Sequence, residues 1–157
     1  MLSTDTRILN VLLNSQKEGN KLLNYFKIKY PDKTLTEDVN SIHVACVSSE
    51  NHTSGEGFQV FTDLVEIVIT TKKLEYSKAI RVIKTVSKEI INLLKKDDYL
   101  SQRIIVRSIS PIHDSDTFLL KKGHLLLQFN TDPISFMNSD DEIEKVCKFL
   151  IDDIDEV

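Results

Sequence analysis

Apolar residues recur at spacings of three and four near the start of the chain. Ile8, Leu9, Leu12 and Leu13 form one stripe, which predicts an amphipathic helix from Thr4 to about Lys17. Thr4 or Asp5 is suited to cap its start, and Gly19 with Asn20 to stop it. Leu22 to Tyr30 fits helix and strand equally, and Pro31-Asp32 ends it either way. Ser41 to Ser48 alternates as a strand does, with Ile42, Val44 and Cys46 on one face. A polar stretch with two glycines, Ser48 to Gly57, separates it from Phe58–Thr71, whose Val, Ile, Phe and Thr suit a long strand. Strand, polar loop and strand predict a hairpin. Its loop is longer than a tight turn, and such loops often meet partners. The candidate partner-contact residues are therefore Ser49, Glu50, Asn51, His52, Thr53, Ser54, Gly55 and Glu56.

The strongest periodicity lies in Leu74 to Lys95. Tyr76, Ala79, Ile80, Ile83, Val86, Ile90, Leu93 and Leu94 repeat at helical intervals, while Lys78, Arg81, Lys84 and Lys88 fall off that stripe and are expected to face water. Gln102 to Ile109 and Thr117 to Asn130 read as a second antiparallel pair, joined across residues 110–116. Ser139-Asp140-Asp141-Glu142 has the form of a capping box. It opens a helix striped by Ile143, Val146, Cys147, Leu150 and Ile151. The order helix, strand, strand, helix, strand, strand, helix predicts an α+β fold: a mostly antiparallel four-stranded sheet with helices packed on it. The expectation is one domain over residues 1–157, with 139–157 as a C-terminal helical extension.

A chain of 157 residues can bury a core without a metal or a disulfide to hold it. Its 41% hydrophobic and 28% charged content excludes global disorder. Cys46 and Cys147 have no CxxC or Cys/His neighbourhood and are expected to be separate reduced thiols. The start lacks a basic region followed by an apolar run, and no apolar stretch is long enough to cross a bilayer, so an intracellular, soluble chain is expected. Net charge is −4, which argues against nucleic acid, but the charge is segregated. Lys72 to Arg107 carries a balance of +6 and Asn138 to Val157 one of −6. Two solvated helix faces account for this. Pairing between the basic region of one copy and the acidic end of another is the sharper reading.

Catalytic signatures are missing. His113, Asp114 and Asp116 suggest a metal, but a turn between strands favours Asp and Ser for backbone reasons, and no further ligand set is visible. His43, His52 and His124 are scattered, and the chain has no GxSxG, GxxxxGK[ST] or GxGxxG. Pro31-Asp32 is not followed by the acid-x-Lys of metal-dependent nucleases. The basic helix has only Tyr76 to stack a base, and that lies in the apolar stripe. The expectation is a binding or assembling protein, not an enzyme, with no catalytic, cofactor-binding or metal-binding residues and no cofactor.

The layout resembles that of the tail terminator (tail completion) proteins of long-tailed phages. The matching features are the N-terminal amphipathic helix, the strand with Ile42 and Val44, and the polar stretch Ser48–Gly57. They continue through the strand from Phe58 to Ile69, the helix Tyr76–Leu94, and the strand pair ending in Leu125-Leu126-Leu127-Gln128-Phe129. The resemblance covers roughly residues 1–132 and is one of pattern, with the capped helix at Ser139–Val157 outside it. It implies a structural virion protein: a subunit of a homo-oligomeric ring, expected to be a hexamer, that caps the tail tube and joins tail to head. The implied partners are other copies of the chain, the tail tube protein and head–tail connector proteins, without membrane or specific nucleic-acid binding. The implied location is the virion tail, assembled in the host cytoplasm. Ring closure needs head-to-tail interfaces. The candidate residues are Lys78, Arg81, Lys84 and Lys88 against Asp140, Asp141, Glu142 and Glu144. The alternatives are another head–tail joining or phage-like tail component, and an intracellular ligand-binding or regulatory α+β domain.

Overall fold

The computed structural model describes residues 3–30, 39–53, 59–72, 74–110, 120–131 and 139–155. Helix α1 (Thr4–Lys17) leads through a 3-10 turn (Leu23–Tyr25) to strand β1 (Lys27–Lys29), then β2 (Ser41–Thr53) and β3 (Gln59–Lys72). Helix α2 (Tyr76–Lys96) and the short α3 (Asp98–Ser101) follow, then β4 (Ile104–Ser110), β5 (Leu120–Thr131) and α4 (Asp140–Asp155).

The fold is α+β, but the sheet has five strands, in the order β1-β2-β3-β5-β4, and it is mixed. β1 runs parallel to β2, and the other pairs are antiparallel. The fifth strand comes from the segment that fitted helix and strand equally, which holds one of each in turn. Asn20 explains how so short a segment is fixed: its Oδ1 accepts the Leu22 and Leu23 N–H groups, both at 3.1 Å. Gln16 Nε2 then donates to the carbonyls of Leu23 and Phe26, fastening the turn to α1. Ile28 enters the core from β1. Gly19, at φ +90°, provides the left-handed step that ends α1. Ser3, rather than Thr4 or Asp5, stands at the start of that helix, with its Oγ hydrogen-bonded to Thr6 Oγ1 and not to the backbone.

The two expected hairpins share one sheet because β3 also pairs with β5 along its length. Ile42 and Val44 of β2, Val65, Ile67 and Ile69 of β3, and Leu125, Leu127 and Phe129 of β5 are all fully buried on one face. α1 meets β1, β2 and β3 there, while α2 meets β3, β5 and β4. A helix is about 10 Å wide and strands lie about 4.8 Å apart, so two helices span about four strands and the fifth is left thinly covered. That strand is β4, whose Val106 and Ile109 are exposed.

Ala79, Ile83, Val86, Ile90 and Leu94 of α2 are wholly buried, as the stripe predicts. Ile80 is half-buried. Tyr76 departs from expectation: it is the first residue of the helix and 62% exposed, so the stripe contributes to the core only from Ala79 onward. α3, which carries no periodicity to read, exists because the Asp97 carboxylate accepts the N–H groups of Tyr99 and Leu100. The Tyr99 ring is flanked by the guanidinium groups of Arg7 and Arg103, 4.1 and 3.9 Å from its centroid. This stack ties α3 to α1.

Candidate functional site

The basic candidates lie as expected. Lys78, Arg81, Lys84 and Lys88 are all exposed on the side of α2 that faces away from the sheet. Glu89 is the one acid within the helix, and it is turned toward α1, where Asn20 Nδ2 lies 3.3 Å from its Oε1. Asp140, Asp141, Glu142 and Glu144 are exposed at the start of α4. The capping box is half formed, since Ser139 Oγ accepts the Glu142 N–H at 3.1 Å. Acids at a helix N-terminus also complement the helix dipole. Among the described residues no ion pair joins the basic and acidic sets within one chain.

The stripe on α4 has no cover. Ile143, Val146, Leu150 and Ile151 are 44–58% exposed, and every residue from Asp140 to Ile151 is classed with the surface. Phe149, off the stripe, is 65% exposed. Helix formation there was legible from the capping box and the period. That the stripe would stay open was not, because the same pattern serves a helix packed on its own core.

A second apolar surface escaped the sequence reading. In β4 the register shifts between Val106 and Ser108, so Arg107 is an extra residue. Val106 pairs with Leu127 and Ile109 with Leu125, two core residues, which places both on the helix-bearing face despite their odd spacing. The flank of α2 on that side carries Ile80 and Ile91, both half-buried, with Lys84 and Lys88 exposed above them. Ile80, Lys84 and Ile91 lie opposite Glu89 around the helix, hence away from α1. The signal in the sequence was the odd apolar spacing about an arginine.

The expected contact loop is corrected. Ser49, Glu50, Asn51, His52 and Thr53 belong to β2 and pair with Asp63 back to Gln59, whereas Ser54, Gly55 and Glu56 lie outside the described residues. A polar strand still forms here because its ladder needs only backbone groups and side-chain partners are at hand. Asp63 accepts Ser49 Oγ at Oδ1 and Thr4 Oγ1 at Oδ2, both at 2.7 Å, so one carboxylate ties the start of α1 to the hairpin arm. Beside it, Cys46 has its thiol pKa pushed up: partial burial is the main cause, and the charges of Asp63 and Asp5 add to it. Hydrogen bonding at Ser49 and Ser48 opposes the rise. Cys46 and Cys147 are both free thiols.

On the sheet face opposite the helices, His124 Nδ1 lies 3.3 Å from Glu66 Oε1. His113, Asp114 and Asp116 lie outside the described residues. Among the described residues no three His, Cys, Asp or Glu side chains gather as a metal would require. No described helix is long and apolar enough to cross a membrane. No protein-family model matches the chain, and no curated protein matches it in sequence.

Proposed function

We propose that this chain is a structural subunit that works by assembling with copies of itself, and that the assembly is a ring capping a phage tail tube and joining it to the head. The observation that carries the assembling role is α4: a capped, amphipathic helix with its apolar stripe exposed beside a sheet domain whose core closes without it. Exposed apolar stripes on monomeric proteins mark interaction surfaces. The tail assignment rests on the layout of helix, hairpin, helix and hairpin over residues 1–132. The partners under this reading are other copies, the tube protein and the head–tail connectors, and the chain performs no catalysis. The basic row of α2 and the acids of α4 orient the subunits and speed their encounter, because exposed charge pairs contribute only about 0–1 kcal/mol each.

The test is sedimentation of the chain alone and mixed with polymerised tube protein, followed by electron microscopy of the pelleted tubes. Rings at tube ends support the reading. A chain that leaves tubes bare at every ratio removes the tail assignment.

A further inference from the structure

Two apolar surfaces of this chain are open in complementary shapes. One is convex, the α4 stripe of Ile143, Val146, Leu150 and Ile151. The other is a shelf between α2 and the edge of the sheet, floored by Val106 and Ile109 and walled by Ile80 and Ile91. It is the strip, about one strand wide, that two helices cannot cover on five strands. We infer that α4 of one copy lies on the α2–β4 shelf of a second copy. The inference deepens the ring reading and rests on it only for closure of the ring.

Charge supports this pairing over other occupants. The α4 stripe is flanked by Glu142 on one side and Glu144 on the other, while Lys145 and Lys148 fall on the back of the helix. The shelf is rimmed by cations: Lys84 and Lys88 on α2, and Arg107 in the β4 bulge, all exposed. An acidic-edged helix on this shelf meets opposite charge along the α2 side of an apolar seam, at Lys84 and Lys88. Two α4 helices packed on each other would instead bring acids against acids, and α4 on the outer sheet face would lose the lysine rim. Helix and shelf are different patches of one chain, so the contact is head-to-tail and can propagate from copy to copy until a ring closes.

Complementation by half-defective variants tests it. Leu150→Asp spoils the helix and keeps the shelf, whereas Ile109→Asp spoils the shelf and keeps the helix. Lys84→Glu with Lys88→Glu spoils the shelf rim from an exposed helix face, in case Ile109→Asp fails to fold. In sedimentation the parent should associate, and each variant alone should do so about thirtyfold more weakly, with melting unchanged. An equimolar mixture of a helix-defective and a shelf-defective variant should form 1:1 pairs and nothing larger, because one sound seam remains. A parent that is monomeric at every concentration, as expected if α4 folds onto its own shelf, overturns the inference. So does a mixture that stays monomeric, and so does undiminished association of the shelf variants, as expected if α4 pairs with α4. None of these runs contains tube protein. Pairing without tube binding would sink the tail assignment alone, and tube binding without pairing would sink this inference alone.

Discussion

Removing residues 139–157 should leave the stability of the remaining domain almost unchanged. The magnitude follows from burial. α4 spans 16 residues, and from Asp140 to Ile151 every residue is exposed. An isolated helix of this length is marginal in water, so its own formation adds little. Substitutions on such surfaces change stability by within about 0.5 kcal/mol. For a domain of this size that corresponds to a melting shift of about 1–2 °C. A helix docked on its own sheet would behave differently. Stripping the cover from side chains worth about 1.5–3 kcal/mol each when fully buried would cost several kcal/mol even at partial burial, and lower the midpoint by on the order of 10 °C. Thermal and urea unfolding of parent and truncated chains distinguish the two. They should be run dilute enough that both are monomeric, since association stabilises by mass action. Coincident midpoints with equal urea slopes fit an undocked helix. A fall of about 10 °C in the truncated chain would mean that α4 packs on its own domain.

The remaining predictions concern the core and the Asp63 clamp. Ile83→Asp places an unpaired charge at a wholly buried site and should cost several kcal/mol, whereas Tyr76→Asp, at an exposed position, should melt within about 2 °C of the parent; equal melting of the two would mean the α2 face is misplaced. Asp63→Ala removes the acceptor of two hydroxyl donors and should cost about 1–3 kcal/mol in urea unfolding, with a neutral result arguing against the clamp. A raised thiol pKa lowers the thiolate fraction at any given pH, so Cys46 should alkylate more slowly at pH 8 than an unperturbed thiol, as read by mass spectrometry of its peptide. Asp63→Asn removes a negative charge that raises this pKa and should speed the reaction; no change would mean that burial alone sets it.

Where side-chain period and burial coincide, the sequence was a sound guide. The bounds of α1 were read correctly, and the α2 stripe from Ala79 to Leu94 faces the sheet as its spacing requires. Fixed local chemistry was readable too, as at Gly19 and Ser139. The failures have definite causes. β1 is three residues long, too short for any period, and its pairing with β2 is held by contacts such as Asn40 O accepting the Lys27 N–H at 2.9 Å. The polar end of β2 looked like a loop because hydropathy does not register backbone pairing with β3. The α2–β4 shelf left only a faint trace in the sequence, the odd spacing of Val106 and Ile109 about Arg107. It depends on the bulge at Arg107 and on helix widths, neither of which hydropathy registers.

The bulge at Arg107 also bears on what kind of particle this chain can build. A free, flat strand edge invites further strands and leads to open-ended fibres. Here one edge strand, β1, is only three residues long, and the other, β4, is interrupted by an extra residue bearing a positive charge. Backbone pairing between copies is therefore discouraged along β4, whereas at the other border β1 covers only Ser41–His43 of β2. At the β4 border, association is left to side chains, whose shapes fix an angle between neighbours, and a fixed angle allows growth to stop at a finite number of subunits.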